Sequence, residues 1–308
     1  MKLAVPDLIS NSYFPALAAA ELGCFKDEGL DVEVELMFPV DRAYRALAAG
    51  EVDFVGGCAH GALAAFPEWT GVKLLCAQAQ GMYWFLVMRA DLQPKRGDLS
   101  IVKGRTIGAA PWVDMGLKTL LVDAGIDLVR DDVTIAPVPG AATAGVNFGV
   151  TAARALAEGR IDGFWANGMG TEVAVRSGAG VVVLDVRRGD GPNGCFDYTF
   201  AAIAASDRLL AQAPEAGAGV VRSIAAAHAQ LKRDPVLATH VGEKHFPPHE
   251  AGLIADLIAR DLPYYDTGIS ERAVRGVNHF AQRRGILTGN PRFEDVVAMQ
   301  YTPLWRAA

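Results

Sequence analysis

Apolar and polar positions along the chain fall into short segments of two periods. Leu30–Leu36 alternates apolar and acidic residues, the period-two signature of a half-exposed strand. Lys2–Val5, Val52–Val55, Val72–Ala77 and Trp84–Arg89 are short apolar runs bounded by turn residues and read as buried strands. Helical stretches alternate with them, at about Tyr13–Leu22, Asp41–Ala49 and Gly61–Glu68. The same alternation then starts again. Strands are predicted over Thr106–Ala109, Val133–Val138, Ile161–Trp165 and Val181–Leu184, and helices over Met115–Ala124, Thr151–Ala157 and Met169–Ser177. A strand over Tyr198–Ala204 follows. From there the pattern is helical: Asp207–Gln212, Glu215–Arg233, Pro235–Val241, Pro248–Asp261, Ser270–Arg284 and Arg292–Met299.

One phrase occurs twice. Residues 45–54 read RALAAGEVDF and residues 154–163 read RALAEGRIDG. Each copy predicts a helix ending at a glycine (Gly50, Gly159) that suits the left-handed position past a helix end, then a short strand running into small residues. After the first copy these are Gly56-Gly57-Cys58-Ala59-His60; after the second, Ala166-Asn167-Gly168-Met169. A strand that runs into small residues is how open α/β sheets present backbone to a ligand. The spacing is too long for a solenoid and fits two α/β lobes built alike. The polar, turn-rich stretch Asp91–Asp98 marks the boundary, giving a discontinuous first lobe of residues 1–88 plus 195–308 and a second lobe of residues 89–194. Two crossovers between lobes form a two-strand hinge.

Composition narrows the partners. The chain has 308 residues, enough for two cores, with 51% hydrophobic and 21% charged residues. A net charge of −6 argues against a nucleic-acid partner, which leaves a basic footprint. No apolar run approaches the roughly 20 residues that span a bilayer, so no membrane insertion is expected. The four cysteines, Cys24, Cys58, Cys76 and Cys195, form no C-x-x-C pair, and no metal or cofactor is expected. His245 and His249 stand at helical ligand spacing, but the two prolines between them forbid that helix. There is no P-loop, no G-x-S-x-G, no H-E-x-x-H and no G-x-G-x-x-G at a strand-to-helix turn.

Phe14–Val32 (FPALAAAELGCFKDEGLDV) resembles the A-x-x-x-G-F/Y-F-x-x-E-G-L-x-V opening of one group of solute-binding proteins. That group serves ABC importers of sulfonates, nitrate, taurine and thiamine-pyrimidine precursors, and the fungal thiamine-pyrimidine synthases share its fold. The likeness continues through both ALAxG-x-x-D repeats, Gly104–Gly108 (GRTIG) and Gly285-Ile286-Leu287. It implies the type II periplasmic binding protein fold: two Rossmann-like lobes, two crossover segments and a ligand cleft between the lobes. It also implies an importer membrane subunit as partner. The cysteine-rich segment of the fungal synthases is absent, which counts against pyrimidine-making chemistry.

Candidate site residues lie where predicted strands end. Asn11, Ser12 and Tyr13 enter the first helix and read equally as an N-cap or as ligand contacts. Gly57, Cys58 and His60 close the first repeat; the glycine allows close approach, and Cys58 with His60 could form a nucleophile–base pair. Gln80, Tyr83 and Trp84 flank the next strand end, and Trp112 and Asp114 follow the first strand of the second lobe. Trp165 and Asn167 end the second repeat, and Asp197 and Tyr198 lie on the second crossover. Three tryptophans and a tyrosine favour a flat or apolar ligand held by stacking, although Trp84 and Trp165 read equally as core. Asp53 and Asp162, duplicated at equivalent places, read as architecture. Lys118, Arg187 and Arg188 read as solvated; Arg42 and Arg45 lie in the body of a helix, so no arginine clamp is evident, and helix N-termini could supply donors to an anionic group.

Two functions follow. The first is a solute-binding protein that captures a small aromatic or heteroaromatic molecule, or a small organic anion, without chemistry. The second is a cytosolic enzyme of decarboxylase, dehydratase or pyrimidine-synthase type, or a ligand sensor, on the same fold, with His60, Cys58 and Asp114 as acid–base candidates. Met1-Lys2 leads straight into the first strand. The expected location is periplasmic or extracytoplasmic if an export signal has been removed from this chain, and cytoplasmic otherwise.

Overall fold

A computed structural model describes residues 1–8, 10–141, 147–246 and 248–305, without the side chain of His249. In chain order the first elements are strand β1 (Lys2–Val5), helices α1 (Phe14–Glu21) and α2 (Cys24–Asp27), β2 (Glu33–Leu36), α3 (Val40–Ala49), β3 (Phe54–Cys58) and β4 (Val72–Ala79). Then come β5 (Phe85–Arg89), β6 (Thr106–Ala109), α4 (Asp114–Asp123), β7 (Thr134–Ala136), α5 (Phe148–Ala157), β8 (Gly163–Ala166), α6 (Gly168–Arg176) and β9 (Gly180–Asp185). The last part holds β10 (Ala201–Ser206), α7 (Asp207–Gln212), α8 (Pro214–Arg233), α9 (Leu237–Gly242), α10 (Pro248–Asp261), α11 (Glu271–Arg283) and α12 (Phe293–Val296). The chain divides into two compact units, Met1–Gly81 with Thr199–Ala308, and Met82–Tyr198.

Each unit contains a five-stranded sheet. The strand orders are β2-β1-β3-β10-β4 and β7-β6-β8-β5-β9. In both, the first three strands are parallel, and the fourth, β10 or β5, runs antiparallel to its two neighbours. The repeat sequence accounts for the matching halves. Gly50 and Gly159 follow α3 and α5 with φ of 77° and 68°, the left-handed conformation that ends a helix cheaply only at glycine. The aspartates that follow do one identical job. Asp53 accepts from the Lys2 backbone N–H at 2.8 Å, and Asp162 accepts from the Thr106 backbone N–H at 2.9 Å. Each aspartate N–H in turn donates to the carbonyl of that same residue, at 2.9 Å in both units. These paired bonds fix the register of β3 on β1 and of β8 on β6, so the two aspartates are architectural.

The structure departs from the pattern in three places. Trp84–Arg89, which the composition change at Asp91 assigns to the first lobe, supplies β5 of the second sheet, and Cys195–Tyr198 also lies in the second unit. A polar loop after a strand does not distinguish a boundary between units from an ordinary surface turn within one. Gly61–Glu68 is not an α-helix: Ala59–Ala64 and Pro67–Trp69 are separate 3₁₀ turns, with Pro67 unable to continue a helical ladder. The extended strands Leu30–Leu36 and Val133–Val138 shorten to β2 and β7. Pro247 and the side chain of His249 lie outside the described residues; His245 Nε2 is 2.7 Å from Glu21 Oε1.

Candidate functional site

In the first unit, the carboxyl ends of β1, β3 and β4 and the amino end of β10 lie on one edge, because Cys58 and Ala79 both pair with Ala201. That edge is polar. Ser10, Asn11, Ser12, His60, Gln78 and Thr199 are all buried there. His60 Nδ1 is 3.0 Å from Thr199 Oγ1, and its ring meets Phe280 edge-on at 5.2 Å. The Asn11 carbonyl accepts a hydrogen bond from the Tyr265 hydroxyl. Tyr265 stacks on the buried His228 at 5.0 Å, and His228 Nε2 is hydrogen-bonded to the Gln78 carbonyl at 2.8 Å. Gln78 also accepts from Ala16 N–H at 3.2 Å and donates to the Ala202 carbonyl at 3.4 Å. The loop before α1 is therefore held by α8, β4 and the segment carrying Tyr265.

Neither Asn11 nor Ser12 supplies the cap of α1. Tyr13 occupies that position, and the first-turn N–H groups are taken by Ser10 O and Gln78 Oε1. Gly57 is glycine for packing: a Cβ there would stand 3.0 Å from Val40 and 3.3 Å from the Tyr44 ring. Cys58 Sγ lies 3.9 Å from His60 Nε2. Burial pushes the Cys58 thiol up to about 12, so it stays protonated at neutral pH. Gln80 donates to the Asp266 and Gly268 carbonyls at 2.9 and 2.7 Å.

In the second unit the corresponding edge is aromatic. Phe85 pairs with Ala166 and Asp185, and Ala109 pairs with Trp165, which brings the ends of β5, β6, β8 and β9 together. Tyr83, Trp84 and Trp165 are buried, with ring centroids 4.7 Å apart for Tyr83–Trp84 and 6.1 Å for Trp84–Trp165. Arg187 is only 5% exposed and places its guanidinium 5.4 Å from the Tyr83 ring centroid. This corrects the expectation of a solvated Arg187, and an arginine does stand among the aromatics. Its doublet with Arg188 carries no sequence signal for which of the two turns inward.

Trp112 is half-buried and has φ of 70°, a conformation that costs a bulky residue of order 1–3 kcal/mol. Asp114, in the first turn of α4, is paired with Lys118, which corrects the solvated reading of that lysine. Asn167 caps α6 by accepting from Gly170 N–H at 3.4 Å, and Asn147 caps α5 by accepting from Val150 N–H at 2.9 Å. Each of these caps takes one first-turn N–H of its helix, and Asp114 places a carboxylate in the first turn of α4. Asp197 is half-buried on a 3₁₀ turn, and Tyr198 donates its hydroxyl to Asp123. Among the described residues no cluster of three metal-ligating side chains occurs, and no helix is long and apolar enough to cross a membrane.

A family profile described as NMT1/THI5 like matches residues 10–238. The chain belongs to that family. No curated protein matches the sequence. Among solved structures, one from Bordetella bronchiseptica RB50 is 18% identical with a TM-score of 0.76, over 98% of this chain and 95% of that one. The ligand-binding component of an ABC-type import system from Staphylococcus aureus, with zinc bound, is 12% identical with a TM-score of 0.72, over 100% and 99%. The alkanesulfonate-binding protein SsuA from Xanthomonas axonopodis pv. citri, bound to MOPS, is 14% identical with a TM-score of 0.71, over 100% and 98%. At these identities the likeness establishes the fold, which is that of the type II periplasmic binding proteins, as this family's opening motif implies.

Proposed function

We propose that this NMT1/THI5-like chain is a solute-binding protein that captures a small organic molecule, aromatic or heteroaromatic or a small organic anion, for an ABC importer. The observation that carries the reading is the aromatic edge of the second unit, where Tyr83, Trp84 and Trp165 gather beside a buried guanidinium. Rings recognise a flat molecule by stacking, and a desolvated arginine favours negative charge on it. Asn11, Ser12, Tyr13, Gly57, His60 and Gln80 in the first unit, and Trp112, Asp114, Asn167, Asp197 and Tyr198 in the second, are the further proposed contributors. Fold neighbours described as an import-system component and as an alkanesulfonate binder support capture and an importer membrane subunit as partner. Burial, which pushes the Cys58 thiol up to about 12, favours capture over nucleophilic chemistry at that residue.

The test is a thermal-shift screen of aromatic acids, pyrimidines, sulfonates and nitrate, followed by native mass spectrometry of each hit after long incubation. Capture predicts a raised Tm and a ligand recovered at unchanged mass. A ligand recovered at a different mass overturns the binding-protein reading in favour of an enzyme.

A further inference from the structure

The strand that follows the repeated phrase differs at one position. Register and repeat place Gly56 of β3 opposite in role to Trp165 of β8: each is the third residue after its architectural aspartate. In the first unit this position needs no side chain, and the Gln78 amide lies 3.0 Å from where a Cβ would stand. The shared fold therefore does not call for a tryptophan there. Trp165 is fully buried, and its indole Nε1 has no hydrogen-bond partner among the described residues. The buried Trp69 and the half-buried Trp305 are both satisfied. Trp69 Nε1 donates to Asn278 Oδ1 at 3.0 Å, and Trp305 Nε1 donates to the Leu75 carbonyl at 2.8 Å. An orphaned buried donor is rare in folded proteins and unfavourable, and an indole nitrogen can only donate.

We propose that the Trp165 indole N–H is a specificity-determining donor, so that the bound molecule presents an oxygen or ring-nitrogen acceptor at the end of β8. The inference rests on the capture reading above. The Trp84 ring at 6.1 Å and the Arg187 guanidinium over Tyr83 fit an acceptor that belongs to an aromatic acid. Discrimination follows from chemistry: an analogue without the acceptor leaves the N–H unpaired and is rejected.

The experiment titrates the ¹⁵N-labelled, unsubstituted protein with benzenesulfonate, benzoate and pyridine-3-carboxylate, and follows the Trp165 indole resonance beside those of Trp69 and Trp305. The expected result is a bound probe that moves the Trp165 signal downfield while Trp69 and Trp305 stay fixed. Trp165→Phe, which keeps a ring and removes the donor, is then expected to weaken that probe about tenfold. A probe that binds, shifting other resonances and raising Tm, with the Trp165 signal unmoved overturns the inference and leaves capture standing. Failure of all three probes to bind overturns the capture of aromatic acids, and the inference with it. The resonance readout does not depend on the variant folding.

Discussion

The two sheets have the same strand order and the same aspartate latch, yet opposite chemistry on their carboxyl edges. In the first unit the edge is built from polar groups tied to side chain and backbone alike: the His60 ring to the Thr199 hydroxyl, the Asn11 carbonyl to the Tyr265 hydroxyl, and the Gln78 amide to the backbone of Ala16 and Ala202. In the second unit the edge is built from rings, with a buried arginine and a buried indole N–H that has no partner among the described residues. The two units share the parts that set backbone register and differ at the positions beyond them. Ligand specificity is then expected to sit where the copies differ, and stability where they agree.

The largest test concerns the support behind the polar edge. Burial pulls His228 from 6.5 down to about 3, so the folded state keeps it neutral where the unfolded chain protonates it. That stability is fully present above pH 6.5 and is lost as pH falls towards 3, by up to about 4 kcal/mol. Urea denaturation across this range is expected to show a flatter profile for His228→Gln; an unchanged slope would remove His228 as the acid-sensitive support of the first unit.

A smaller effect separates the copies at the start of the strand. Phe54 opens β3, whereas Gly163 opens β8, where a Cβ would stand 2.8 Å from the Val87 carbonyl and crowd Met88 and Ile107. Gly163→Ala is expected to cost about 2 kcal/mol by overpacking, measured by chemical denaturation. The smallest and most direct comparison is the latch itself. Asp53→Ala and Asp162→Ala should each cost about 1 kcal/mol, alike within a few tenths, with additive effects in the double variant. A large inequality would show that the two latches are not equivalent.

Much of the fold was legible because it was written twice. The glycine after Leu-Ala, the strand after it and the aspartate at its mouth have local causes, so pattern alone finds them. The sheet membership of Trp84–Arg89 has no local cause. A central strand is apolar on both faces, and nothing within WFLVMR states which neighbours it will have. The site divides in the same way. The tryptophans at strand ends follow from sequence position, and the structure gathers Tyr83, Trp84 and Trp165, whereas the cap role of Asn167 emerged only with α6. Arg187 does not follow, because an Arg-Arg-Gly-Asp run reads as solvent-facing until the strand before it is seen to end beside Tyr83. The unactivated Cys58 was equally hidden: its proximity to His60 is visible in sequence, whereas its desolvation is a property of the packed interior.

The antiparallel fourth strands also set an order of events during synthesis. The second unit is one continuous stretch whose inserted strand, β5, emerges first, so its sheet has every strand as soon as β9 is made. The first unit has the reverse problem. Its β3 and β4 are separated by β10, which the ribosome delivers only after the whole second unit. Until then β3 and β4 each present an open edge along the strands that carry Cys58 and Gln78. The nascent chain therefore carries a finished sheet downstream of an unfinished one, and its most vulnerable interval for aggregation runs from the release of β4 to the arrival of Ala201–Ser206.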